Sequence, residues 1–411
     1  MQGFMFATGI EGSYPVVAGR NGDGLRVDEM EKTGHYRHWK EDLSLVSALG
    51  IDALRYGPPY YRVHQGPGRY DWDFTDEVFA EIQRRGIKPI VDLCHFGVPD
   101  WIGNFQNPDF PELFAQYAEA FARRFPWIQL YTPVNEMYVC AKFSGLYGWW
   151  NEQLASDRGF VTALKHIVKA NVLAMRSILR ARPDALFIQS ESTEYYHAWE
   201  PRSVDHAWQM NERRFLSLDL NYGRQVGAEM LRYLLDNGMS MEEYDFFMRH
   251  SFKQHCILGT DYYMTNEHHV HADGKTAAAG DVFGYCLIGR QYYDRYRLPL
   301  LHTETNLNED MNGLADVEWL QRQWLSVREL HDSGIPVLGF TWYSLTDQID
   351  WDVALREKND RVNPLGLYDL ERKIRPVGEA YRTLIDKWDD FLPAQSSCLK
   401  IPLALPSDFD G

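Results

Sequence analysis

Eight short runs rich in β-branched and aromatic residues recur along this chain, and the intervals between them carry helical hydrophobic patterns. The runs lie at 4–10, 51–56, 88–94, 128–135, 185–190, 257–263, 298–303 and 335–343. Strands that alternate with helices build a parallel sheet from βα units, and eight such units close it into a barrel. Leu43, Leu45, Val46 and Leu49 mark a helix over 39–49, which Gly50 stops. Val78, Phe79 and Ile82 mark the next, over 74–85. Pro111 sits near the start of a third, where its missing N–H is harmless, and Phe114, Tyr117, Phe121 and Phe125 follow along one side. Further helices are predicted over 161–179, 317–330 and 378–385. The interval 205–248 is longer than one crossover needs and is read as two helices, parted near Gly238, that decorate the barrel. The expected fold is an α/β protein, a (β/α)8 TIM barrel in one domain over residues 1–390, with a helical insertion at about 205–248 and a C-terminal tail over 391–411.

Charge and composition remove several classes of function. A net charge of −16 opposes nucleic-acid binding, which needs a basic surface. No run reaches the ~18 consecutive apolar residues of a membrane span, and the N-terminus lacks the basic and apolar regions of a signal peptide. A cytoplasmic protein without a membrane partner is expected. Five cysteines with no Cys-x-x-Cys spacing give neither a disulfide framework nor a zinc site. The stretch Glu267-His268-His269-Val270-His271 lacks the i, i+4 pair of helical zinc motifs and is read as a loop after the sixth strand, so neither a metal nor another cofactor is expected. The informative excess is aromatic, with 13 Trp, 24 Tyr and 21 Phe. Most belong in a core of this size; others suit sugar binding, because an aromatic face stacks on the apolar face of a sugar ring.

In such a barrel the strand C-termini converge on one face, and that face carries the chemistry. Reading each run to its end gathers Arg55 and Tyr56, Cys94 and His95, Asn135 and Glu136, Glu191, Tyr262 and Tyr263, Glu304, and Trp342 and Tyr343. Cleavage of a glycosidic bond needs two carboxyl groups across a pocket, one protonated to donate to the leaving oxygen and one ionised to attack the anomeric carbon. Glu136 and Glu304 fit those roles. Arg55 and the Tyr263 hydroxyl would hold Glu304 ionised, and Asn135 would bond a sugar 2-hydroxyl. Either Glu alone would more often be a solvated loop carboxylate, and His95 alone can be a buried imidazole bonded to backbone; the pairing favours the chemistry. Glu191 has no Asn before it and is read as structural. Trp149 and Trp150 are either a wall for the leaving group or ordinary packing.

At these residues the sequence resembles glycoside hydrolase family 1, the β-glucosidase and β-galactosidase type of retaining enzyme. Thr132-Pro133-Val134-Asn135-Glu136 loosely matches the family's Thr-Phe-Asn-Glu-Pro acid/base motif, and Thr303-Glu304-Thr305-Asn306 its Thr-Glu-Asn-Gly nucleophile motif. Leu93-Cys94-His95-Phe96, Asp261-Tyr262-Tyr263 and Arg55-Tyr56 correspond to its Leu-x-His-Trp, Asn-Tyr-Tyr and Arg-Phe. Gly339-Phe340 through Ser344-Leu345, Asp347, Trp351 and Leu365-Gly366-Leu367-Tyr368 follow its order, so the likeness spans about residues 4–390. It implies a retaining β-glycosidase acting on a carbohydrate by double displacement, with Glu136 as acid/base, Glu304 as nucleophile, and Arg55 and Tyr263 supporting it. His95, Asn135, Tyr343, Asp350 and Trp351 would contact the sugar. The alternatives are a transglycosylase using the same residues, with an acceptor subsite around Trp101, Trp149 and Trp150, and a catalytically inactive sugar-binding barrel. A homo-oligomer is left open.

The departures from the family fall on sugar recognition. Its early Gln, which takes two sugar hydroxyls, falls at Gly9, with Glu11 nearby; its platform Trp falls at Tyr343. Its Glu near O4 and O6 becomes Asp350, and the Pro after the acid/base becomes Met137. No clear basic cluster marks a 6-phosphosugar enzyme.

Overall fold

The computed structural model describes residues 4–19, 23–308 and 315–391. Eight parallel strands close into a barrel, each beside the next in sequence and the last beside the first. They are β1 Met5–Gly9, β2 Ala53–Tyr56, β3 Lys88–Asp92, β4 Leu130–Thr132, β5 Leu186–Ser192, β6 Cys256–Asp261, β7 Leu300–Glu304 and β8 Val337–Trp342. Every predicted run overlaps one of these strands, so the (β/α)8 barrel is the fold. Side chains from all eight strands fill the barrel's interior: Met5 and Ala7, Ala53, Ile90, Leu130, Ile188, Ile257, Leu301 and Leu338. This is a packed core rather than a pore, and it leaves the strands' C-terminal ends as the face free for function.

Most strands end earlier than their hydrophobic runs. The fourth is cut from 128–135 to three residues because Pro133 has no N–H for the ladder and the chain leaves the sheet there. The freed backbone finds other partners: Val134 N–H donates to Asn171 Oδ1 at 3.1 Å and Asn135 N–H to the Cys94 carbonyl at 3.0 Å.

The barrel helices are α1 His35–Ala48, α2 Asp73–Arg84, α3 Phe110–Arg124, α4 Met137–Ala141, α5 Asp157–Ala181, α6 Val204–Arg213, α7 Leu216–Asn221, α8 Ala228–Asp236, α9 Met241–Arg249, α10 Gly284–Tyr296, α11 Asp316–Asp332 and α12 Pro376–Phe391. The interval expected to hold two helices holds four, α6 to α9. Besides the break at Gly238, the chain turns at Gly223, which takes φ +65°, a conformation that favours glycine. Nor is the interval an ornament. It is the crossover from β5 to β6, and α7 is buried through Leu216, Leu218 and Leu220 while Asp219 accepts hydrogen bonds from Arg295 and the Tyr296 hydroxyl of α10.

The histidine-rich stretch is a strand, not a loop. Glu267–Val270 pairs with Tyr195–Ala198 on one side and Thr276–Ala278 on the other. The Glu267 carboxylate accepts from the Tyr262 hydroxyl and from the N–H groups of Phe283 and Gly284, and His197 Nε2 lies 2.5 Å from it. Among the described residues no helix is long and apolar enough to cross a membrane. The tail expected over 391–411 lies outside the described residues from 392 onward.

Candidate active site

An open cleft of about 390 Å³ lies over the C-terminal ends of the strands, a size ordinary for small-ligand sites. Glu136 and Glu304 both line it, as do Tyr263, His95 and Trp351. Glu304 closes β7 and is held from two sides: Arg55 Nη1 of β2 donates to Oε1, and the Tyr263 hydroxyl donates to Oε2 at 2.6 Å. Both contacts favour the ionised carboxylate. Arg55 is itself buried, and its Nη2 donates to Asn135 Oδ1 at 2.7 Å and Asp92 Oδ2 at 3.3 Å. Burial opposes the guanidinium's charge, but Glu304, Asp261 and Asp92 more than offset it and raise its pKa.

His95 stands on the same framework. Its Nδ1 lies 2.8 Å from Asp92 Oδ2 and its Nε2 3.2 Å from Asn135 Nδ2. In the neutral ring Nδ1–H donates to Asp92 and Nε2 accepts from Asn135. Burial works against a charged ring and Asp92 works for it, with a net upward shift. Asn135 therefore joins Arg55 to His95. It is completely buried and lies behind the cleft wall.

Glu136 has the opposite environment. It sits at the start of α4 with φ 40° and ψ 62°, a left-handed conformation that is costly for a side-chain-bearing residue and that clusters at functional sites. Its N–H donates to the Ser190 carbonyl at 3.1 Å, which fixes the turn to β5. Burial, then the charges of Asp261, Glu304, Glu191 and Glu194, push its carboxyl well above the usual carboxylate range. Glu191 supports the turn from behind: its carboxylate accepts the Tyr138 N–H at 3.0 Å and the Ser217 hydroxyl at 2.7 Å, and burial raises it to about 8.

Besides Asn135, whose amide is taken up by Arg55 and His95, two more expected sugar contacts do not line the cleft. Asp350 does not line the cleft; its carboxylate accepts from Lys32 Nζ at 2.9 Å and from the N–H groups of Asn359, Asp360 and Arg361, so it anchors its own loop. Tyr343 is buried behind the cleft, its ring 5.3 Å from the Arg55 guanidinium and nearly parallel to the His95 ring at 6.3 Å. It occupies the space a side chain at position 9 would need. A Cβ on Gly9 would lie 2.0 Å from Tyr343 Cε2. The two adjacent tryptophans separate cleanly: Trp149 lines the cleft, whereas Trp150 is fully buried and donates to the Ala354 carbonyl at 2.9 Å. Trp101 donates to the His64 carbonyl and is not part of the cleft wall.

Sequence reasoning missed several participants. Asp92, in phase two residues before Cys94, ties Arg55 to His95. Asp261, where the family motif has Asn, accepts from the Ser190 hydroxyl and is pushed up to about 7 by burial and by Glu304. Lys142 and Glu194 form a buried ion pair in the cleft wall beside Phe143 and Tyr147. No motif announced that pair, because its members come from the π-helical segment Lys142–Leu146 and from beyond β5.

The model of the family described as glycosyl hydrolase family 1 matches residues 23–278, more than half the sequence. The chain belongs to that family. It is a glycoside hydrolase of the β-glycosidase kind. This family 1 enzyme is similar to the 6-phospho-beta-glucosidase AscB of Escherichia coli, 22% identical over 374 residues that cover 79% of this chain and 78% of the relative. It is also similar to a beta-glucosidase of Agrobacterium sp., 23% identical over 398 residues covering 88% and 84%. Among solved structures, the family 1 β-glucosidase from Thermotoga maritima superposes with a TM-score of 0.78 at 18% identity, over 94% of this chain and 98% of the other. At that identity the likeness carries the fold. The family match ends before β7, so the place of Glu304 rests on the barrel geometry and on its own motif.

Proposed function

We propose that this enzyme hydrolyses β-linked glycosides with retention, by double displacement, in one catalytic domain over residues 1–390. Glu304 attacks the anomeric carbon while Glu136 gives its proton to the departing oxygen. The Glu136 carboxylate then takes a proton from water, whose oxygen displaces Glu304 from the sugar. His95 and Trp351 hold the sugar from the cleft wall, and Asn135 orients Arg55 and His95.

The contrast between two carboxyl groups in one cleft carries this reading. Glu304 receives a guanidinium and a phenol, both suited to a charged nucleophile. The Glu136 carboxyl bonds to none of the described side chains and is raised by burial and by four carboxylates, as a proton donor requires. The test is incubation with 2-deoxy-2-fluoro β-glycosides bearing a good leaving group, followed by peptide mass spectrometry. A sugar-sized mass on the peptide containing Glu304 is the expected result. Hydrolysis of the parent glycosides with no adduct, or an adduct on another residue, overturns the assignment.

A further inference from the structure

Glu11 and Gln348 are buried polar side chains, 4% and 3% exposed, that open onto the cleft and have no part in the chemistry above. They come from opposite ends of the sequence, just after β1 and after β8. Glu11 Oε1 accepts the Ser13 N–H at 2.8 Å, and Oε2 accepts from Gln348 Nε2 at 3.2 Å. The same Nε2 donates to the Ser344 hydroxyl at 3.2 Å, so both amide hydrogens of Gln348 are engaged. Its carboxamide oxygen takes no hydrogen bond from any described residue. A carboxylate oxygen has two acceptor positions, so each Glu11 oxygen keeps one unused. What these residues offer the cleft is a set of acceptors. Burying polar groups of this kind is costly unless something donates to them.

Their place fixes which part of a substrate they meet. Glu11 Oε1 lies 3.9 Å from His95 Nε2, and Glu11 is within electrostatic reach of Glu304. The other polar pair of the cleft, Lys142 and Glu194, lies on the Glu136 side, with Glu194 among the charges acting on Glu136. In a double displacement the glycon is bonded to Glu304 and the leaving group departs past Glu136, so Glu11 and Gln348 face the glycon. Resting on the double-displacement reading, we propose that Glu11 and Gln348 form the fork that grips the glycon's hydroxyl groups, and that this fork commits the enzyme to an uncharged sugar. Hydroxyl groups donate to the unused acceptors. A phosphate or carboxylate on the glycon would meet acceptors and a carboxylate instead. Of the nearby cations, Lys142 is paired with Glu194 and Lys32 with Asp350, while Arg356 lines the cleft stacked over Trp149, whose ring packs on Phe143 beside Lys142 and so lies on the Glu136 side. Burial raises the Glu11 pKa, opposed by His95 and by Ser13 through its side chain and its N–H. A bound sugar hydroxyl adds to the second influence, because donation to the carboxylate favours its charged form.

The fork replaces what Gly9 and Asp350 have given up. Position 9 has no side chain, and the carboxylate at 350 is turned into its own loop.

The test measures kcat/KM of the parent, Glu11→Gln and Gln348→Ala enzymes on dinitrophenyl β-glucoside, β-galactoside and β-mannoside and on the 6-phosphates of the first two. The best neutral substrate is then compared with its 3-, 4- and 6-monodeoxy analogues. The parent is expected to favour neutral glycons over their 6-phosphates. Glu11→Gln should lose about 10- to 100-fold on the full glycon, the size of a charged hydrogen bond, and almost nothing on the analogue lacking the contacted hydroxyl. Gln348→Ala should show the same non-additivity with a smaller loss. Losses of equal factor on every analogue in both variants, or a parent that prefers a 6-phosphate, overturn the fork. The double-displacement reading is scored separately by the fluoroglycoside adduct. A parent that forms the Glu304 adduct while the variants lose activity uniformly sinks the fork alone; a parent with neither turnover nor adduct sinks the underlying reading, and the fork with it.

Discussion

Replacing Gly9 by alanine adds one methyl group at the end of β1, beside Arg55 of β2 and against the Tyr343 ring just past β8. Its Cβ would lie 2.0 Å from Tyr343 Cε2 and 2.3 Å from Cδ2, where ordinary carbon contacts begin near 3.5 Å. The ring must therefore retreat by more than about 1 Å. It has little room: its hydroxyl lies 3.4 Å from the Ile10 carbonyl, and its faces look on the Arg55 guanidinium and the His95 ring. Overpacking of this kind costs about 1–3 kcal/mol. Arg55 is also what holds Glu304, so a displacement near 1 Å passed on to it should lower kcat/KM on the order of 100-fold. The assay is urea unfolding and turnover of Gly9→Ala, Tyr343→Ala and the double variant. Tyr343→Ala alone should cost about 3–5 kcal/mol for the lost ring. In its background the alanine at position 9 has space, and the cost of Gly9→Ala should fall to near zero, giving a coupling of about 1–3 kcal/mol. If Gly9→Ala destabilises equally with and without the Tyr343 ring, the clash is not the cause and the reasoning fails.

Three further outcomes follow from the charges around the cleft and below it. Tyr263→Phe removes the 2.6 Å hydrogen bond to Glu304 Oε2 and should lower kcat about 10- to 100-fold with little change in KM, which steady-state kinetics on one aryl glycoside checks. Asp261 titrates near 7, so above that pH its charge adds to those holding Glu136 protonated. The alkaline limb of kcat/KM in Asp261→Asn should accordingly move to lower pH; an unmoved limb would remove Asp261 from the account. Glu29 is fully buried, and burial raises it to about 8 despite Lys32 at 3.3 Å. Its folded pKa exceeds the 4.5 of the free carboxyl, so its protonated form contributes stability that is complete below about 4.5 and lost as pH rises to about 8. Across that window the parent should lose on the order of 3–5 kcal/mol relative to Glu29→Gln, read from urea midpoints against pH.

The barrel was legible because each strand had to be buried on both faces, and that demand writes a continuous hydrophobic run. The two carboxyl groups of the cleft were legible for a related reason. A barrel brings strand ends together however far apart they are in sequence, so Arg55, Glu136 and Glu304 could be gathered without knowing any distance. Strand ends themselves were overread, as at β4, since Ile128 to Asn135 keeps its β-prone composition after Pro133 has left the ladder. The interval 205–248 misled in another way: its hydrophobic positions suggested two helices, but Gly223 breaks the pattern without interrupting the burial of α7.

Sugar recognition was the illegible part, and the reason is where its residues stand. Asp350 sits in a loop, where the carboxylate takes whichever donors lie nearest, and those are a lysine 318 positions earlier and three backbone N–H groups of the same loop. Matching Asp350 to a family position gave its chemistry but not its direction. Tyr343 aligned with a sugar platform, yet the missing side chain at Gly9 lets its ring drop behind the cleft. Glu11 could not be assigned from sequence because its partner Gln348 is 337 positions away. The clamp on Glu304, in contrast, is built from Arg55 and Tyr263 at or just past strand ends, where the barrel's own register sets the geometry. Chemistry held by strands and recognition held by loops can change independently. A chain this far from its relatives can keep the first while rebuilding the second, and the proposed fork of Glu11 and Gln348, with the Tyr343 ring filling the space at Gly9, is where its choice of substrate should be sought.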